Sequence, residues 1–366
     1  MFERRLYFHI DWLLLGAILL LAGLGVAMIY STTYDPVREV ASREVYTQLY
    51  ALALGVAAMA VCMSIDYRRL AEHSLLIYGC LIVLLVYVLL FGLTRGGSQR
   101  WINLRAFNLQ PSEFGRMVVA LVLAMYFGEN RRGARTPGDL LIGAAFVSVP
   151  FVLVAKQPDL GTAVTLLPVF LGIAYIAGMR LRLLVVVAIV GALMAPVAWK
   201  YGLKDYQRQR METFVSPERD ARGAGYQQIQ ARITVGSGGL AGKGFMKGTQ
   251  GQYKFLPVAH NDFIFSVLAE EQGFIGVLVA LGLYLFIILR SLEAARLAKD
   301  RLGAYLVVGI VSGFSFQVIY NITMSAGLAP VKGLTLPLLS YGGSAVIATL
   351  AAFGLVLNVR MRRFTN

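Results

Sequence analysis

The stretch WLLLGAILLLAGLGVAMIY, Trp12–Tyr30, carries no charge over 19 residues and decides the fold. As a helix rising 1.5 Å per residue it spans about 28 Å, close to the ~30 Å hydrocarbon core of a bilayer. It follows Arg4 and Arg5, exceeds the apolar core of a signal peptide, and shows no small-residue cleavage site, so it is expected to stay as a transmembrane helix.

Similar runs recur along the chain. With about 20 apolar residues per crossing, ten spans are predicted near 12–30, 47–64, 74–94, 113–128, 140–155, 160–178, 182–199, 263–289, 303–325 and 336–359. The chain is 57% hydrophobic with a mean hydropathy of +0.66, and its charges gather in short clusters between the runs. This is the pattern of an all-α, polytopic membrane protein, expected as one membrane domain over residues 1–366, and it excludes a soluble protein. Cys62 and Cys80 fall inside predicted spans without metal-ligand or C-x-x-C spacing and read as core residues.

Orientation follows from the basic residues. Arg4 and Arg5, Arg68 and Arg69, Arg131, Arg132 and Arg135, Arg180 and Arg182, the cluster from Arg290 to Arg301, and Arg360, Arg362 and Arg363 share one side. They outnumber the Lys and Arg of the short loops opposite, so that side and both termini are expected in the cytoplasm. The net charge of +14 reflects this asymmetry and loop chemistry; no RNP, zinc-finger or helix-turn-helix pattern points to nucleic acid. One connection breaks the regularity: residues 200–261 form a large extracytoplasmic loop between spans seven and eight. Long loops are where function concentrates. Within it, GYQQIQARITVGSGG has the spacing of a short amphipathic helix.

Charged residues near apolar runs mark candidate sites, since each is costly inside a bilayer. In LQPSEFGR, Glu113 and Arg116 lie three residues apart and can pair, either to orient the helix or to line a polar cavity. In KQPDLGTA, Asp159 opens the sixth span and either caps it or serves a site. In SGGLAGKG, a nucleotide phosphate loop fails for want of the first glycine and the final Ser or Thr; Lys243 remains open as a phosphate contact or a solvated loop lysine. In FLPVAHNDFIFSVLAEEQGF, Asp262 stands at the outer mouth of the eighth span, with His260 beside it and Glu270 and Glu271 two turns deeper. Asp262 is either a cap or a general base whose pKa is lifted by desolvation, and His260 orients it, touches substrate or does neither. Glu270 or Glu271 is expected to pair with a basic group on a neighbouring helix. In GLTLPLLSYGGSAV, Pro337, Gly342 and Gly343 interrupt the helix, to line a cavity or to allow a tight crossing.

Four of these motifs, LQPSEFGR, KQPDLGTA, KGTQGQYKFLPVAHNDFIFSVLAEEQGF and PLLSYGGSAV, in this order among ten spans, resemble the bacterial SEDS family of shape, elongation, division and sporulation proteins. The GTQ motif and short termini look more like its rod-shape member than its division member, and the resemblance covers essentially the whole chain. It implies a peptidoglycan glycosyltransferase of the cytoplasmic (inner) membrane that polymerises lipid II during cell elongation. It also implies a class B penicillin-binding protein transpeptidase and the elongation machinery as partners. The family's essential aspartate falls on Asp262, its polar cavity residues on Glu113 and Asp159, and its loop lysine on Lys243. Val258, Asn261 and Arg116 depart from the family's usual Glu, Thr and Lys, and the change at 258 removes a carboxylate near the mouth.

The mechanism expected from this constellation is inverting glycosyl transfer, with Asp262 as base and undecaprenyl pyrophosphate as leaving group. The diphosphate calls for positive charge, from loop lysines and arginines or from a divalent cation such as Mg or Mn. Two other readings stay open: a lipid II flippase and a scaffold that activates a transpeptidase. No internal repeat between the halves supports the first.

Overall fold

The computed structural model describes residues 9–34, 42–95, 98–103, 108–129, 136–180, 205–220, 223–253, 255–257 and 259–364, with isolated positions between 182 and 193. Helices α1 (Trp12–Thr33), α2 (Arg43–Ser64), α3 (Tyr67–Glu72) and α4 (Ser74–Phe91) are followed by strands β1 (Leu93–Arg95), β2 (Ser98–Asn103) and β3 (Asn108–Leu109). A 3-10 turn, Pro111–Phe114, leads into α5 (Gly115–Glu129), then α6 (Pro137–Lys156), α7 (Leu160–Val164) and α8 (Leu166–Ile176). The large loop holds α9 (Asp205–Val215), α10 (Ala224–Ser237) and α11 (Thr249–Gln252). The chain closes with α12 (Ile264–Arg296), α13 (Arg301–Ser325) and α14 (Gly343–Met361).

Seven of the described helices are long and apolar enough to cross a membrane. The shorter α5 and the apolar α7–α8 segment occupy the places of the runs at 113–128 and 160–178, while the run at 182–199 lies outside the described residues apart from isolated positions. The fold is all-α and polytopic, with one small exception. The third span ends at Phe91, and the chain then forms a three-stranded antiparallel sheet with Leu93 opposite Trp101 and Ile102 opposite Leu109. The last span also starts later than its hydropathy implies, at Gly343.

Helix α14 is buried along nearly its whole length. A helix apolar on every side must be enclosed by others, and glycines let α2 come close enough. A Cβ on Gly354 would lie 2.6 Å from the Met59 carbonyl oxygen, and one on Gly55 would lie 2.6 Å from Leu350. The tight crossing therefore sits deeper than Gly342 and Gly343. Cys62 is half-buried at this crossing. Cys80 corrects the reading as core: it is exposed on α4, an apolar helix most of whose side chains lie outside the packed interior, so apolarity there does not mean a core position.

Residues 326–342 have no regular helix, yet their backbone is satisfied inside protein. Asn321 donates to the Leu334 carbonyl at 2.6 Å, Tyr284 to Pro337 at 2.6 Å and Gln317 to Thr335 at 2.9 Å. Gln48 donates to the Ser340 carbonyl at 3.3 Å and accepts from the Gly342 N–H at 3.2 Å. Irregular backbone at membrane depth is tolerated on that condition. At one end of the bundle Arg68 meets Asp300, Arg362 meets Asp66, and Arg290 and Arg360 share Asp11. Arg4, Arg5, Arg131, Arg132 and Arg135 of the same predicted face lie outside the described residues.

Candidate functional site

The opposite end gathers the motif residues. Asp159 caps α7 by accepting from the Thr162 N–H at 3.3 Å, and its other oxygen takes Gln110 at 2.9 Å and Arg100 at 3.2 Å. It is both a cap and part of a polar cluster. Arg100 reaches it because β2 carries it along the sheet edge above the helices, and Gln110 because β3 ends there. The Gln110 N–H is held by Ser344 at 2.9 Å, which ties this corner to the start of α14. Glu113 and Arg116 pair at 2.9 Å, both largely buried. They border a cavity of about 30 Å³ that also touches Met117, Phe314, Thr349 and Phe353, enough for one or two waters.

Asp262 lies just before α12, partly buried. Its backbone carbonyl accepts from Asn321 at 2.9 Å, and Gly333 lies beside its carboxylate, where an added Cβ would stand 3.7 Å from the nearer oxygen. The carboxylate accepts no hydrogen bond from the described residues. Burial pushes it up to about 6, against the opposing charges of Arg100 and Arg210, with Asp159 adding to the rise. A carboxylate with its pKa raised towards neutral pH is ionised there yet more basic than an ordinary one, which suits proton abstraction. Nearby, Lys332 is half-buried over the Tyr320 ring at 6.0 Å; burial and then the charge of Arg210 push its ammonium down. The Arg100 Nε is buried without a hydrogen-bond partner among the described residues, and a buried guanidinium donor left open favours an anion.

Not every motif residue joins this cluster. His260 stacks edge-on against Tyr341 at 5.7 Å, and its carbonyl accepts from the Tyr341 N–H at 2.9 Å; burial lowers its pKa, with Glu44 opposing. Lys243 bonds Glu270 at 2.7 Å and Thr249 at 2.9 Å. Glu270 is therefore paired with the large loop, where a neighbouring helix was expected, and Glu271 accepts from Ser31 of α1. The N–H groups of Lys243 and Gly244, the donors a phosphate would need, are taken by the carbonyls of Glu270 and Glu271 at 2.9 Å each. Val258 lies outside the described residues.

Arg100 and Lys332 are the residues that sequence reasoning passed over, while Arg210 belongs to the loop arginines expected to supply charge to the diphosphate. Arg100 sits in the short connection that leads to the LQPSEFGR motif, and that position was the available signal; Arg210 and Lys332 reach the mouth only through tertiary packing.

An apolar bundle with a polar mouth around an unpaired carboxylate defines the class, a polytopic membrane protein with a charged site at one end. A family model described as "Cell cycle protein", for FtsW, RodA and SpoVE, matches residues 11–364. The chain belongs to that family, and it is a multi-pass bacterial membrane protein. Peptidoglycan glycosyltransferase MrdB of Escherichia coli strain K12 is 40% identical over 314 residues, covering 85% of this chain and 84% of the relative. Peptidoglycan glycosyltransferase RodA of Treponema pallidum is 32% identical, covering 96% and 98%. Among solved structures, a chain from a peptidoglycan synthase complex that coordinates polymerization and crosslinking is 33% identical. It superposes with a TM-score of 0.84 over 98% of this chain and 99% of that one. Thermus thermophilus rod shape determining protein RodA, at 30% identity, gives 0.73 over 98% of both.

Proposed function

We propose that this chain, a peptidoglycan glycosyltransferase by family, polymerises lipid II at the outer mouth of the bundle, with Asp262 as the general base. The observation that carries this reading is the carboxylate itself, unpaired among the described residues and raised to about 6 in a mouth lined by cations. Asp262 takes the proton of the acceptor sugar's 4-hydroxyl as that oxygen attacks C1 of a lipid-linked donor, and undecaprenyl pyrophosphate departs with inversion. A placed base contributes about 10²–10⁴-fold.

The diphosphate needs positive charge as it leaves. Arg100, with its open Nε, is the first candidate to supply it, followed by Arg210 and Lys332. A protein-held Mg or Mn ion fits these residues poorly. Asp159 is already engaged by Arg100, Gln110 and the Thr162 N–H, and no three His, Cys, Asp or Glu side chains gather among the described residues. Glu113 and Arg116 hold the floor of the site and its cavity.

The outer loop, residues 200–261, faces the extracytoplasmic side in this reading, and both termini face the cytoplasm. A class B penicillin-binding protein transpeptidase and the elongation machinery are the partners, supported by the likeness to a chain of a peptidoglycan synthase complex. The test is glycan synthesis from lipid II by the purified chain with its transpeptidase, wild type against Asp262→Asn, with complex integrity checked. Chains from wild type alone support the assignment, and equal chains from both overturn it. Labelled lipid II crossing liposomes with no glycan formed would favour the flippase.

A further inference from the structure

Helix α12 is broken at Gly273, where φ is 64° and ψ −165°. In an unbroken helix the N–H groups of Phe274 and Ile275 would bond to the carbonyls of Glu270 and Glu271. Here they donate instead to Gly239 at 2.9 Å and Leu240 at 3.2 Å, while those two carbonyls accept from Lys243 and Gly244 at 2.9 Å each. The glycine-rich loop segment thus replaces the helix's own bonds one for one. Backbone must meet backbone for this exchange. A Cβ on Gly238 would stand 1.9 Å from the Ala269 carbonyl oxygen, one on Gly242 2.2 Å from that of Glu271, and one on Gly273 2.2 Å from the Gly242 nitrogen.

A side chain locks the arrangement. One oxygen of Glu270, fully buried, accepts from Lys243 Nζ at 2.7 Å, the Thr249 N–H at 2.9 Å, the Thr249 hydroxyl at 3.0 Å and the Gln250 N–H at 3.2 Å. Residues 263–271 are buried throughout, so the N-terminal part of α12 is a stub enclosed by protein with Asp262 at its head. The break sets the direction of that stub.

We propose that Gly238–Gly244, locked by Glu270, is a backbone clamp that positions Asp262, making Glu270 a positioning residue of the transfer reaction. This rests on the general-base reading above. Asp262 is two residues beyond about 14 Å of helix that starts at the break, so a reorientation of only about 10° displaces it by roughly 2–3 Å. A misplacement near 1 Å can cost about 10²-fold in rate.

The experiment combines hydrogen exchange with kinetics on the intact complex, comparing wild type with Glu270→Gln and Gly242→Ala. In wild type, peptides covering 238–248 and 270–276 are expected to be protected together. In both variants they lose protection together while the rest of the bundle stays protected, and kcat falls about 10- to 100-fold with KM for lipid II little changed. An opened clamp with wild-type kcat overturns the proposal, as does a fall in kcat with both peptides still protected. Asp262→Asn, measured alongside, separates the two readings: full activity there removes the base assignment, whereas the joint loss of protection tests the clamp independently.

Discussion

The two ends of the bundle use the same kinds of charged residue to opposite effect. At the arginine-rich end, Asp11 is buried and bonds both Arg290 and Arg360 at 2.9 Å, while capping α1 through the Leu14 N–H. Asp300 there accepts from the Gly303 N–H, Arg68 and Tyr67. Burial pushes its carboxyl up, but these hydrogen bonds outweigh burial and hold it below the usual carboxylate range. At the other end Asp262 has no such bonds from the described residues, and burial wins. The lesson is that saturated carboxylates hold helices together, whereas an unsaturated one is left with a proton affinity useful for chemistry.

The sharpest break of that comparison is Asp262→Asn. Polymerisation should drop by about 10²–10⁴-fold, read as glycan from lipid II. Stability should move the other way. Because the folded pKa of Asp262 exceeds its unfolded value, ionising it costs stability as pH rises from about 4 towards 6, and the neutral amide escapes that cost. At pH 7 the variant should therefore melt higher, by on the order of 1–3 kcal/mol after allowance for its partial exposure to water. A lower melting temperature would show that the carboxylate is structural after all.

Asp11→Ala is the counterpart at the other end. It takes from Arg290 and Arg360 the buried carboxylate they share, leaving them only the more exposed Glu293, and should destabilise by about 1.5–3 kcal/mol, while the protein that remains folded polymerises at the wild-type rate. A loss of turnover per folded molecule would erase the division between the ends.

Titration sharpens the contrast further. The kcat/KM profile should fall on the acid side with an apparent pKa of about 6, as Asp262 becomes protonated. Arg100→Ala removes a positive charge that favours the carboxylate, so that limb should move to higher pH, alongside a raised KM for lipid II. A limb that stays in place would detach Arg100 from the base. Asp300 contributes stability at neutral pH that is lost as pH falls through its depressed folded pKa, so acid should loosen the arginine-rich end. The smallest effect belongs to Glu293→Gln. Its carboxylate is 37% exposed beside Arg290, and a rim pair of this kind is worth under about 1 kcal/mol by thermal melting.

Much of this was legible in the chain. Long apolar runs report helices directly, because a spanning segment must satisfy its own backbone in lipid. The i, i+3 pair of Glu113 and Arg116 was readable because helix geometry alone brings such residues together. Hydropathy failed where apolar residues are not helical: Leu334 to Ser340 are as apolar as a span but are held by Asn321, Tyr284 and Gln48 from other helices. The glycines of SGGLAGKG were visible as a turn-forming segment, but their target, the carbonyls of α12, lies about thirty residues away. Local spacing cannot announce such a partner.

By itself, then, the sequence determined that this is an α-helical membrane protein, roughly where it crosses, and which motifs carry charge at its mouth. Those properties depend on the composition and spacing of neighbouring residues. Only the tertiary structure decided which carboxylates are paired. Arg100 reaches Asp159 from a strand, Lys243 reaches Glu270 from a loop, Ser31 reaches Glu271 from the first helix, and Asp262 is left facing the cations. Whether a buried charge is structural or chemical depends on what stands within about 3 Å of it, and that is fixed by packing between segments remote in sequence.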